Sequence, residues 1–410
     1  MTRTAFLFPG QGGYLPGALA ESRDSHPEVA EVVAELDAVA RSFGRAEISS
    51  VLCDPDAPGA DVLAESDPET LHLALYGIAV ASFRLLVASG LRPDVLIGHS
   101  FGEIAALAAA GVFTVEQGAV LVAHRDEALR RHGGVAGGLV VLGTGYRRAR
   151  HLLGAVDSWE LAVAVDNSPD QVVVSGPDAE LGALVSAAEA LGISVTRLPV
   201  GYAFHNSRLL AAAAEDFAER ASSMLKRRPR IPVYSPILSR YLDGPGDVDA
   251  LIADQLVRPV RFLDAVRTVH ADGVRSFVEC GPRSTCRDLV DRIVPHVNTA
   301  VVPRGSVEEE AAPPVPEPAR RRPEDEASVL EKAREIYATA LGYPHEVLLP
   351  DADLEGDLGV DSVKQTELVM RVLKTYDLAV DGEAPRPAGY PTLRSVAQLV
   401  GDLAARREVA

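Results

Sequence analysis

The chain has 410 residues, 47% hydrophobic and 24% charged, the make-up of a soluble globular protein too long for a single core. Its formal net charge of −18 disfavours partners with phosphate backbones or anionic lipid surfaces, so neither nucleic acid nor membrane is expected. Three cysteines without paired C-x-x-C spacing, no apolar run of the ~18 residues a membrane span needs, and no signal-peptide core lead to the expectation of a cytoplasmic protein without disulfides or metal.

Taken in chain order, short apolar runs alternate with Ala- and Leu-rich helical stretches. Ala5-Phe6-Leu7-Phe8 stops at Pro9-Gly10, and helical spacing follows from Leu71 to Gly90. Asp94-Val95-Leu96-Ile97 stops at Gly98, before the helical run Glu103 to Gly111. Such strand–helix alternation predicts an α/β fold with a parallel sheet. Residues 137–198 read as an inserted subdomain of order β-α-β-β-α-β, which predicts a ferredoxin-like unit. After Val302 the chain becomes dense in Pro and charge, the composition of an extended tether. Apolar residues then return at helical spacing in Ala327 to Ala340, Ser362 to Leu373 and Leu393 to Ala405, predicting a small all-α bundle. The resulting division is 1–303 for the large unit, 304–326 for the linker and 327–410 for the small unit.

The strongest chemical signal is Gly98-His99-Ser100-Phe101-Gly102, between a strand and a helix. A G-x-S-x-G there is a nucleophile elbow, whose glycines permit the tight backbone that exposes the serine. The helix start behind it offers free N–H groups and a positive dipole to a developing oxyanion. An α/β-hydrolase with a Ser…Asp/Glu…His order is the rival reading.

Phe8-Pro9-Gly10-Gln11-Gly12, the elbow with Glu103, Arg125, and Ala203-Phe204-His205, in that order, closely resemble malonyl-CoA:acyl carrier protein transacylases and the acyltransferase domains of polyketide synthases. The likeness runs from Thr4 to about Val302, through Gln255-Leu256-Val257-Arg258-Pro259-Val260 and Val278-Glu279-Cys280-Gly281-Pro282. It implies an α/β-hydrolase-like parallel-sheet core and a Ser–His dyad. Ser100 would be the nucleophile and His205 its proton acceptor and donor. The resemblance further implies an oxyanion hole from the N–H groups of Gln11 and Phe101, and the main-chain oxygen of Gln255 as the group orienting His205. His99, beside the nucleophile, is expected to pack and shape the elbow.

By the same resemblance Arg125 would bind the free carboxylate of a malonyl group, which a planar guanidinium holds through two parallel hydrogen bonds. Asp126 follows it where the family commonly has a small or polar residue, and pairing of the two would blunt the selectivity. Phe204 and Tyr202 are the further residues expected to bind substrate: Phe204 resembles the malonyl-selecting form, its ring filling the space of a branch methyl, while Tyr202 stands where malonyl types often have His. Phe101 after the nucleophile resembles the acyltransferases of polyunsaturated-fatty-acid-type synthases.

In the small unit, Leu358-Gly359-Val360-Asp361-Ser362-Val363-Lys364 closely resembles the modification site of acyl carrier proteins. That likeness implies a four-helix carrier and covalent 4′-phosphopantetheine on Ser362, at a helix start suited to a phosphodiester; the plain alternative for Ser362 is an N-cap. It also implies a phosphopantetheinyl transferase as partner, with a ketosynthase or other synthase enzymes downstream. A linker of about two dozen residues has a typical flexible reach of roughly 25–30 Å, enough for millimolar effective concentration of one unit at the other. The expected activity is transfer of a malonyl-type group from a CoA thioester, through a Ser100 ester, to a carrier thiol for polyketide or fatty-acid-type synthesis. The alternatives are an editing thioester hydrolase and a catalytically silent carrier or docking protein.

Overall fold

A computed structural model describes residues 3–133, 137–295, 297–301, 326–341, 348–354, 360, 362–376, 378 and 390–409. It divides into two compact units, Met1–Glu308 and Glu309–Ala410. Residues 304–325 of the expected tether lie outside the described residues.

The strands of the large unit are β1 (Arg3–Phe8), β2 (Val95–Gly98), β3 (Gly137–Leu142), β4 (Ala162–Ser168), β5 (Gln171–Pro177), β6 (Val195–Leu198), β7 (Val233–Ser235), β8 (Arg240–Tyr241), β9 (Val260–Arg261), β10 (Val274–Glu279) and β11 (Asn298–Val301). The main sheet has the order β11-β10-β1-β2-β7-β8, parallel except for β8. Buried on both faces, its strands carry near-continuous apolar runs, as β1 does with Ala5, Phe6, Leu7 and Phe8, all fully buried. From β1 the chain moves outward to β2 and β7, then returns to the other side of β1 for β10 and β11. That reversal at β1 is a switch point, and loops leaving the carboxyl ends of strands there form a natural crevice.

The 21-residue helix Pro68–Ala88 is long and apolar enough to cross a membrane by composition, yet it is mostly buried in this unit and serves as its core helix. It starts where Asp67 accepts from the Thr70 N–H and Pro68 occupies the first turn.

The insert forms a second sheet of order β6-β3-β5-β4-β9. Its first four strands are antiparallel and, with the helices Tyr146–Val156 and Asp178–Ala190, give the ferredoxin-like arrangement. The fifth strand was not foreseen. β9 comes from far along the chain and pairs in parallel with β4, Val165 opposite Val260. Two residues leave no periodicity to read, but the pairing ties the insert to the segment after Gln255.

In the second unit the helices Glu326–Leu341, Ser362–Thr375 and Leu393–Val409 enclose a core that includes Val329, Leu354, Leu368, Val372, Val396 and Val400. The three helices match the predicted apolar stripes. A fourth, expected from the carrier resemblance, is not among the described residues.

Candidate active site

The register of the main sheet brings two loops side by side. Phe8 lies opposite Gly98 at the carboxyl ends of β1 and β2, and the His99 N–H donates to the Phe8 carbonyl at 2.8 Å. The loop after β1 turns through Gln11–Gly13, a single 3-10 turn, and the loop after β2 turns through Ser100 into the helix Gly102–Ala109. Ser100 has φ 55, a left-handed conformation that costs an ordinary residue roughly 1–2 kcal/mol. The flanking glycines are required by contact. A Cβ on Gly98 would lie 2.3 Å from the Glu103 backbone, and one on Gly102 would lie 2.0 Å from the Phe8 carbonyl oxygen.

His205 is also left-handed, at φ 61, and is buried. Its Nε2 lies 2.6 Å from Ser100 Oγ, and its Nδ1 lies 2.8 Å from the Arg258 carbonyl oxygen. A carbonyl only accepts, so Nδ1 carries the proton and Nε2 is free to accept from the serine hydroxyl. Burial pushes the His205 pKa down to about 3; the hydrogen bond to Arg258 opposes that, and the charges of Arg125 and His99 add to it. The imidazole is therefore neutral near pH 7, as a proton acceptor must be.

The orienting oxygen is a correction. The carbonyl holding His205 belongs to Arg258, not Gln255. The helix Pro245–Asp254 ends at Gln255, and a further turn, with Arg258 N–H donating to Asp254 O, places the carbonyl of residue 258 under the imidazole. The Leu256 carbonyl accepts from the His205 N–H at 2.7 Å, so the segment still holds the histidine, at two other residues. Gln255 has a different task. Its Oε1 accepts from Arg125 Nε at 2.9 Å.

Arg125 projects from the helix Val115–His132 and is 2% exposed. Its guanidinium packs over Phe204 at 4.8 Å and Phe101 at 5.3 Å from the ring centroids, and its Nη1 is buried with no hydrogen-bond partner among the described residues. Burial lowers its pKa to about 10, against the raising effect of Asp126, so the charge persists near neutrality. Asp126 is not its hydrogen-bond partner: Oδ1 lies 3.8 Å from Nη1 and is held instead by His72 Nδ1 at 2.7 Å. A buried cation with an unsatisfied donor is a seat for an anionic oxygen.

Gln11, Ser100, Phe101, Arg125, Phe204 and His205 line one cavity of about 350 Å³. Phe101 caps the helix Gly102–Ala109 and Gln11 opens its own turn, positions whose N–H groups have no carbonyl partner within the helix, and both residues line this cavity. Tyr202 is not in the wall. Its ring centroid lies 5.7 Å from that of Phe204, and it lines a neighbouring cavity of about 250 Å³. Of the two aromatic residues expected to bind substrate, Phe204 lines the cavity of Ser100 and Tyr202 does not. His99 reaches the insert, with Nε2 2.7 Å from Asn167 Oδ1 and the ring edge-on to Phe262.

Three residues at the site went unread in the sequence: Arg258, His72 and Asn167. Arg258 acts through its backbone, which has no side-chain signature. His72 and Asn167 lie far from the motifs in sequence and are brought in by the core helix and by β4. The Gln255–Arg258 stretch itself was legible as a segment, and only its inner register was not.

In the small unit, Ser362 is the first residue of the 14-residue helix Ser362–Thr375. Within this helix Gln365 is buried, and its Nε2 donates to the Val360 carbonyl at 2.9 Å. A serine at the start of a helix of this length fits a covalently held phosphodiester.

Comparison with known proteins gives a consistent picture. Residues 5–305 match the acyl transferase domain family, and residues 331–400 match the phosphopantetheine attachment site. Erythronolide synthase EryA3 of Saccharopolyspora erythraea is 38% identical over 292 residues, 70% of this chain and 9% of that protein. The chain spans less than a fifth of the length of such curated relatives. The malonyl CoA-acyl carrier protein transacylase of Coxiella burnetii superposes with a TM-score of 0.68 at 26% identity, over 73% of this chain and 94% of that one. The acyltransferase domain from the second module of the salinomycin polyketide synthase superposes with a TM-score of 0.64 at 29% identity, over 73% of this chain and 69% of that one.

Proposed function

The chain belongs to the acyl transferase domain family and carries a phosphopantetheine attachment domain behind it, and from that premise we propose that it moves a malonyl-type acyl group from CoA, through an ester on Ser100, to a carrier thiol. The observation that carries this reading is the juxtaposition, in one cavity, of a serine–histidine pair at 2.6 Å and a buried arginine with a free donor.

His205 Nε2 takes the Ser100 proton as Oγ attacks the thioester carbonyl, and gives it to the departing CoA sulfur. The N–H groups of Gln11 and Phe101 receive the oxyanion; one such donor is typically worth about 2.7–4 kcal/mol in the transition state. Arg125 binds the distal carboxylate of the acyl group and sets its carbonyl against Ser100. Phe204 closes the side where a branch would extend, which at about 1–3 kcal/mol per methyl is a preference rather than a barrier. When attached, phosphopantetheine supplies a thiol on a long arm as the acyl acceptor, and Ser362 is the residue we assign to hold it. In the second half-reaction His205 removes the proton from the incoming nucleophile and returns it to Ser100 Oγ as the ester opens.

The acceptor reading is own-carrier loading, supported by the presence of both functions on one chain. Polyketide-type synthesis is supported by the relatives, and the attachment domain calls for a phosphopantetheinyl transferase acting before and a synthase enzyme such as a ketosynthase after. The test offers pantetheinylated protein malonyl-CoA and acetyl-CoA and measures intact mass. A malonyl adduct on the arm that disappears in Ser100→Ala is expected; equal loading of Ser100→Ala and parent overturns the route, and equal acetyl loading overturns the carboxylate clamp.

A further inference from the structure

The carboxylate beside Arg125 poses a physical problem. Asp126 is 3% exposed and follows Arg125 on the same helix, so it is an available internal partner for the guanidinium. A direct charge-assisted bond, at about 2.7–2.9 Å, would occupy the face a substrate carboxylate needs. The structure shows it 3.8 Å away instead.

What holds it there is His72, on the core helix Pro68–Ala88. His72 is 3% exposed, and its Nδ1 lies 2.7 Å from Asp126 Oδ1. A carboxylate accepts, so this ring nitrogen donates. The other oxygen, Oδ2, faces Arg45 Nη1 at 3.5 Å, and Arg45 is itself engaged by Glu69 at 2.9 Å through Nη2. The imidazole is fixed in turn by the rings that Arg125 packs on. It stacks on Phe101 at 5.5 Å between centroids and meets Phe204 edge-on at 6.5 Å. Arg125, Phe101, Phe204 and His72 thus form one interlocked group, with Asp126 tied to its far side.

We propose that His72 is a positioning residue whose Nδ1–H holds Asp126 off the guanidinium of Arg125, keeping the arginine's carboxylate-binding face open and so setting the preference for diacid thioesters. This rests on the reading of Arg125 as the clamp for the acyl carboxylate. Asp126 remains near enough to stabilise a buried cation by its field, yet spends its hydrogen-bonding oxygen on His72. Removing the donor frees that oxygen to rotate onto Arg125 and compete with the substrate from within.

The test measures acylation of Ser100 in the full chain, with malonyl-CoA and acetyl-CoA as separate donors, recording KM and kcat for each. His72→Leu keeps apolar bulk against Phe101 and Phe204 but removes the donor. It is expected to raise the malonyl-CoA KM about tenfold, the scale of one charge-assisted hydrogen bond, with a smaller change in kcat. His72→Gln keeps an N–H donor and is expected to recover most of the preference. In His72→Leu/Asp126→Asn the internal competitor is neutral, and the malonyl preference should return. Asp126→Asn alone, which needs no change at His72, should keep or strengthen it. Loss of malonyl preference in Asp126→Asn, a double variant no better than His72→Leu, or a parallel fall with both donors overturns the inference. A parent chain that does not distinguish the two donors overturns the clamp reading itself, and this inference with it.

Discussion

Two serines, one in each unit, open a helix, and the contrast between them shows what a helix start can be made to do. Ser100 stands just before the helix Gly102–Ala109 in a left-handed conformation, with His205 Nε2 2.6 Å from its hydroxyl. Ser362 is the first residue of its helix, within regular helical structure. Both lie at the positive dipole end of a helix. In the proposed reaction, strain and a neutral histidine at Ser100 would turn that field toward an oxyanion that exists only in passing. At Ser362 the same field suits a phosphodiester that stays. The difference lies in the histidine and the backbone twist, not in the residue type.

The contrast breaks most visibly at the histidine. His205→Ala should lower Ser100 acylation by about 10⁴-fold or more, while a phosphopantetheinyl transferase still modifies Ser362 to the same mass. Intact-mass spectra of the variant read both events, and loss of both would show that the two serines are not independent. A second cut separates attack from recognition. Arg125→Ala should lower malonyl-CoA acylation about 10²-fold and leave acetyl-CoA acylation within a few-fold, measured as kcat/KM with each donor, because it removes a buried charge-assisted contact to one substrate only.

Acid titration sharpens the comparison further. Because burial holds His205 near 3 rather than the ordinary 6.5, the imidazole stays neutral as pH falls through the usual histidine range. The acid limb of the kcat/KM profile for acylation should therefore lie well below 6.5, and a limb centred there would show a solvated histidine. The sign for stability follows: below that value the unfolded chain binds a proton at residue 205 that the folded chain refuses, so acid destabilises the fold and neutral pH restores it. The smallest effect belongs to Gln11. Its contribution is a backbone donor, so Gln11→Ala should change acylation by no more than about threefold, against the ~10²-fold of losing a donor outright.

Much of this site was legible in the sequence, for a physical reason. The elbow needs Gly98 and Gly102 because backbone passes within contact distance of where their Cβ atoms would be, so steric necessity wrote itself into residue type. The alternation of apolar runs and helices gave the parallel sheet, and the β-α-β-β-α-β order gave the insert. What escaped lacks such a mark. β9 is two residues long; the order of sheet neighbours places Asn167 against His99; and the His72–Asp126 pair spans 54 positions that no local pattern connects. Tyr202 and Phe204 share one motif but line different cavities, a separation that two positions of sequence do not reveal.

The oxygen under His205 has a further consequence. In a triad the third member is a side chain, and one base change can delete it. Here it is the carbonyl of Arg258, whose own side chain is about half exposed and, among the described residues, pairs with Asp254. The genetic code offers no codon that removes a peptide oxygen, so position 258 is free to drift while the imidazole keeps its tautomer. Descendants of this chain could differ there in charge and size and still inherit the same imidazole orientation.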